Sequence, residues 1–140
     1  MPEWMYWAFL SAAFAALTAI FAKLGVEHID SDVATFIRTM VVAVVLAGIL
    51  VFRGVPISPG SISTKTYVFL LLSGLGTGAS WLCYFRALQF GDAARVAPID
   101  KLSVVLVAIA GVAFLGEQLE LHHWIGVLLI ASGAVLVAMK

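Results

Sequence analysis

Charged side chains are scarce in this 140-residue chain: eight Lys and Arg, eight Asp and Glu, 11% of residues against 63% hydrophobic. Soluble domains carry about 25% charged residues, so this set cannot form the polar shell of a water-soluble globule. No charge sign predominates, because the formal net charge is zero. That removes the basic footprint of a nucleic-acid binder. Cysteine is nearly missing. Cys83 alone excludes an intrachain disulfide and any multi-cysteine metal site. Alternating apolar and polar runs are also missing, so the outer-membrane type of β-barrel is excluded. Runs such as Val41-Val42-Ala43-Val44-Val45-Leu46 are continuously apolar.

What remains is long hydrophobic runs. A membrane-crossing helix needs about 20 mostly apolar residues, and five stretches qualify: 4–24, 33–52, 67–90, 93–115 and 123–139. Within lipid each must be a helix, because an open sheet edge leaves backbone groups unsatisfied. The expected fold is an all-α integral-membrane bundle of five helices, forming a single transmembrane domain over 1–140. One connection is long, from Gly54 to Thr66, and Pro56, Pro59 and Gly60 break the chain there. Trp4, Trp7, Tyr67 and Trp124 stand at span ends, where aromatic belts form. Asp92 is expected to cap the fourth span. The first span lacks the positive n-region of a signal peptide, since Glu3 is its only charge before Lys23.

Five spans place the termini on opposite sides. Arg53 and Lys65 fall on the N-terminal side. Lys23, Arg86, Arg95 and Lys140 fall on the C-terminal side, with Arg38 and Lys101 in the nearby turns. The positive-inside rule then predicts the N-terminus outside and the C-terminus in the cytoplasm. The bias shrinks if the intramembrane cations serve another purpose, and insertion in both orientations then stays open.

Ionisable residues inside a span are costly and mark functional positions by default. Arg38, Arg86, Asp100 and Lys101 are of this kind, all within roughly 7–12 Å of the same boundary. A shared polar cavity accounts for them, and three cations with one acid favour an anionic solute. A plainer reading stands beside it: Arg and Lys near helix ends snorkel to the headgroups, and Asp100 neutralises Arg38 or Arg86. Asp100 is the obvious proton-coupling carboxylate. Pro98, one turn earlier, removes a backbone donor and either breaks or merely kinks the helix. Trp81 and Tyr84, with Phe85, offer aromatic walls for an organic solute or ordinary packing.

Gly74-Leu75-Gly76-Thr77-Gly78 lacks the preceding strand a phosphate loop requires, and sits in mid-span. Gly74 and Gly78 instead make a small-residue face for close helix approach. Gly126 and Gly133 share a face of the last span and suit internal packing or a dimer interface. His122 and His123, with Glu117 and Glu120, make a weak metal signal, and no metal or cofactor is expected. No nucleophile–base pair stands inside the spans, so an enzyme is not expected.

Two stretches resemble a known family. Ala87-Leu88-Gln89-Phe90-Gly91-Asp92-Ala93-Ala94-Arg95-Val96-Ala97-Pro98 is similar to the signature of the EamA-type drug/metabolite transporter superfamily. Phe114-Leu115-Gly116-Glu117-Gln118-Leu119 followed by Trp124 to Ala134 is similar as well. Ile99-Asp100-Lys101-Leu102-Ser103 resembles its short five-span bacterial and archaeal branch. The resemblance implies secondary active transport of a small organic metabolite or drug by alternating access, in a bacterial or archaeal inner membrane. Most relatives carry two five-span halves in opposite orientation. One half alone implies a homodimer, with an antiparallel pairing as one option, or an accessory subunit completing another chain. The small multidrug resistance branch carries its coupling glutamate in the first span. No acid lies between Trp4 and Leu24 here, so that mechanism does not transfer. Glu117 reads as a helix-end structural residue.

A two-sided topology reporter fused after Lys140 is expected to report cytoplasm, and one in the Gly54–Thr66 loop the outside. Both fusions reporting on both sides would overturn the single orientation and support an antiparallel pair.

Overall fold

The computed structural model describes residues 2–56 and 58–139. Lys140, one of the cations counted for orientation, lies outside the described residues. Among the described residues there is no strand. The helices are α1 (Glu3–Val26), α2 (Ser31–Phe52), α3 (Thr64–Phe90), α4 (Ala93–Asp100), α5 (Ser103–Phe114) and α6 (Leu121–Ala138), with a short 3-10 turn at Pro59–Ser61. The five expected spans are present as α1, α2, α3, the α4–α5 pair and α6, each long and apolar enough to cross a membrane. The chain divides into two compact units, one of Phe21–Gln89 and one of Met1–Ile20 with Phe90–Lys140.

Few apolar side chains are buried: Ala22, Val26, Ala34, Phe85, Leu88 and Ala134. Phe52, Phe90 and Phe114 are 93%, 86% and 87% exposed, as suits side chains that meet lipid rather than a core. Lipid tails are as apolar as leucine, so burial drives no helix association here. Short loops, caps and polar bridges carry that task.

The caps follow from the residues at the ends. Asp30 opens α2, its Oδ1 accepting from the Asp32 and Val33 backbone N–H groups at 2.8 and 3.3 Å. Gly54 closes it in the left-handed region, φ +62°. The Gly54 N–H donates to Val51 O and the Val55 N–H to Leu50 O, the paired bonds of a glycine-terminated helix. Asp92 occupies the N-cap of α4, but its side chain makes no capping hydrogen bond. Its carbonyl accepts from the Arg95 and Val96 N–H groups instead, so the expected side-chain cap reduces to a charge near the positive helix end.

The fourth span is two helices. Pro98 has no N–H to return to Ala94 O, and α4 ends two residues later. Lys101 and Leu102 nevertheless stay right-handed, at φ −72°, ψ −6° and φ −60°, ψ −19°. Their N–H groups reach back three residues, to Pro98 O and Ile99 O at 3.1 and 3.0 Å, and Val104 and Val105 do the same. The joint is a tightened, 3-10-like stretch rather than an unwound gap. α6 packs against both α4 and α5.

α5 ends at Gly116, φ +70°. The Leu115 and Glu117 N–H groups both donate to Gly111 O at 3.1 Å. The Glu117 carboxylate lies over Gly111, where a Cβ would collide with it. Replacing Gly116 by Ala is expected to lower the unfolding free energy in detergent micelles by about 1–2 kcal/mol, the penalty of a left-handed alanine. Gly111→Ala should lose less, because the flexible Glu117 side chain can swing aside.

Candidate functional site

In the Phe21–Gln89 unit, side-chain bridges join α1, α2 and α3 in successive rungs. At the outer end, Gln89 Nε2 donates to Ile29 O at 2.7 Å and more weakly to Val26 O at 3.4 Å. Lys23 Nζ donates to Leu88 O at 2.7 Å, placing a cation on the negative end of α3. Next inward, Arg86 pairs with Asp32 at 3.7 Å, both more than half exposed. The innermost rung is Arg38. Its Cζ lies 3.9 Å from the centroid of the Trp81 ring and 5.5 Å from that of Phe85. Trp81 and Phe85 are four residues apart on α3, so one helical face presents both rings. Tyr84 is partly buried and within electrostatic reach of the guanidinium.

These rungs fix where Arg38 lies along α2 and α3. Six residues separate it from Asp32 on α2, about 9 Å along the axis. Five separate Trp81 from Arg86 on α3, about 7–8 Å. The guanidinium, held over Trp81, therefore lies a turn or more inward of the Asp32–Arg86 pair. Asp32, which the sequence presents as a loop-end acid, is the partner of Arg86.

In the other unit, Lys101 Nζ bonds its neighbour Asp100 Oδ2 at 3.1 Å, the Asp100 side chain being 34% exposed. Asp100 is thus paired along its own chain segment, directly after the Pro98 turn, and Lys101 is the cation it neutralises. Arg95 Nη2 donates to Ala138 O at 2.8 Å and so caps the end of α6. The histidines serve the start of α6. The Glu120 N–H donates to His123 Nδ1 at 3.1 Å in a capping box, and His122 Nδ1 lies 3.2 Å from Glu120 Oε2.

Within their own units, Gly74 and Gly78 of α3, and Gly126 and Gly133 of α6, have nothing within 4 Å of where a Cβ would stand. The close approach falls at Gly111 instead, which sequence reading missed. Its signal was the Gly116-Glu117 pair downstream, whose turn folds Glu117 back. The cation caps made by Lys23 and Arg95 were missed too, and their only trace was a basic residue near a span end.

Comparison with known proteins fits this frame. The family model of the EamA-like transporter family matches residues 2–139. An uncharacterized transporter from the cobO 3' region of a Sinorhizobium species is 62% identical over 98% of this chain and 97% of its own length. An uncharacterized transporter of Bacillus subtilis is 23% identical over 100% of this chain, which spans 44% of that protein. A probable 4-amino-4-deoxy-L-arabinose-phosphoundecaprenol flippase subunit of Hamiltonella defensa is 26% identical over 51% of this chain and 65% of its own length. No solved structure matches the chain.

A double-mutant cycle of Arg38→Met with Trp81→Leu, read by unfolding in mixed micelles, should give a coupling of about 0.5–2 kcal/mol. The cycle of Asp32→Asn with Arg86→Gln should give about 0–1 kcal/mol, because that pair is solvated.

Proposed function

The chain belongs to the EamA-like transporter family, and from that premise we propose that it is a permease carrying a small organic solute by alternating access as a homodimer. It is an integral, multi-pass membrane protein, and its family relationship points to transport rather than catalysis. The observation that carries the reading is Arg38. A cation held on an aromatic ring inside a span is costly, and a solute-binding role gives a reason for that cost. Trp81 and Tyr84 stand beside it as the organic wall, and Arg86 lies one rung outward.

The dimer follows from size. This chain spans 44% of the Bacillus transporter, and transport between inverted halves needs a second copy. An antiparallel pair of copies supplies that inversion. Gly126 and Gly133 leave a smooth face on α6, and Gly74 and Gly78 one on α3, where a second copy can approach closely. Asp100 is the coupling carboxylate. Its pairing with Lys101 beside the Pro98 joint lets protonation release the ion pair where the span is least regular. The membrane is a bacterial or archaeal inner membrane, and in an antiparallel pair one C-terminus would face the cytoplasm and the other the outside.

The second reading is an accessory subunit that pairs with a different chain. The likeness to a flippase subunit favours it. Reconstituting the purified single chain in proteoliposomes, with a panel of radiolabelled organic acids, amines and sugars, separates the two. Saturable flux supports the permease. No flux from the single chain, with flux restored by a second chain, supports the accessory subunit. For the permease, Asp100→Asn should reduce proton-gradient-driven uptake by about tenfold or more while exchange of solute for solute persists, as expected of a lost proton-carrying group. Equal loss of both would remove Asp100 as the coupling group.

A further inference from the structure

The charges inside the spans are paired within their own units, with one exception. Arg86 is balanced by Asp32, and Lys101 by Asp100. Of the intramembrane cations Arg38, Arg86 and Lys101, Arg38 is the one that no carboxylate of its own unit joins. A guanidinium carries five N–H donors in a fixed planar fork. Within the Phe21–Gln89 unit no carbonyl, hydroxyl or carboxylate accepts from those of Arg38, which lies over the rings of Trp81 and Phe85. Its nitrogens are not sealed away either, since no buried side-chain nitrogen lacks a partner. The group is held over two aromatic rings and open at its donors.

We propose that Arg38 is the receptor for the oxyanion, a carboxylate or phosphate, of a small organic solute that lies against the Trp81 ring. This rests on the permease reading and names its substrate class. A fork of parallel N–H groups matches the two oxygens of such an anion. Contact through the ring face leaves the in-plane donors for it, a geometry lysine cannot supply. Contact with two rings also restrains the guanidinium, so less freedom is lost when the anion docks. A bound oxyanion would satisfy the donors and balance the charge at the same time. The rung spacing points to a soluble anion over a lipid phosphate, because Arg38 lies inward of the Asp32–Arg86 pair and of the Lys23 and Gln89 bridges beyond it.

The test uses the full chain in dodecylmaltoside with Trp4, Trp7 and Trp124 changed to Phe. Trp81 is then the sole tryptophan of the four in the chain. Sodium benzoate and inorganic phosphate are titrated against its emission, with benzamide as the neutral match and dihexanoyl phosphatidylglycerol as the lipid phosphate. At least one of the two soluble oxyanions should change the emission saturably, with benzamide weaker by about tenfold or more. Arg38→Lys should weaken the response by about tenfold, and Arg38→Gln should remove it. No saturable response to benzoate or phosphate overturns the assignment, as does an equal response to benzamide or a response that survives Arg38→Gln. A response to the lipid phosphate alone overturns the soluble-anion class. The unmodified Arg38 titration stands whether or not the variants fold. Anion binding by a chain that carries no flux keeps this site and removes the permease reading; flux without anion binding does the reverse.

Discussion

A cationic side chain that donates to a carbonyl in the last turn of another helix recurs in both units. Lys23 does this to Leu88 and Arg95 to Ala138. The device answers the central constraint on this chain. Its helices have almost no apolar core, and a hydrocarbon solvent gives leucine no reason to prefer protein over lipid. The last carbonyls of a helix, by contrast, lack intrahelical donors, and leaving them bare near lipid is expensive. A bridge to such a carbonyl therefore does two tasks at once: it ties helices together and satisfies a helix end. Because the carbonyl is backbone, the tie survives any change of side chain at Leu88 or Ala138.

The same economy of charge shapes the interior of the spans. With eight groups of each sign in the whole chain, the charges placed inside the spans are held in different ways. Asp32 and Arg86 lock two helices, while Asp100 and Lys101 satisfy each other at a tightened turn. Arg38 is held differently, by aromatic faces, which attract a cation without consuming its donors. That difference turns a uniform tally of intramembrane charges into three distinct environments.

Much of the fold was legible because the bilayer imposes it. Length and apolarity located all five spans, and the observed helix ends differ from the expected ones by a few residues, as at Thr64 and Leu121. Gly54, Gly116 and Asp30 mark their turns as their chemistry requires. The site was less legible. Spacing along one helix could show that Trp81 and Phe85 share a face, and that Arg38 was costly. It could not show which helix face Arg38 meets, since that depends on the register between α2 and α3. Nor could it show that Asp32, at the start of α2, reaches Arg86. Asp92 illustrates the opposite error: the residue type and position were right for a side-chain cap, yet the backbone carbonyl performs the task. Gly111 was passed over because its neighbour comes from beyond a turn, which no local pattern encodes.

The tightened joint between α4 and α5 has a mechanical consequence. Pro98 has already given up one hydrogen bond, so bending there costs less than in an unbroken helix. Yet α6 lies against both segments, and Arg95 pins its end to α4. The joint cannot flex in isolation. Any change in angle between α4 and α5 must appear as slip of α6 along one of them, which makes α6 the follower of the hinge and its open glycine face the surface that such slip would displace.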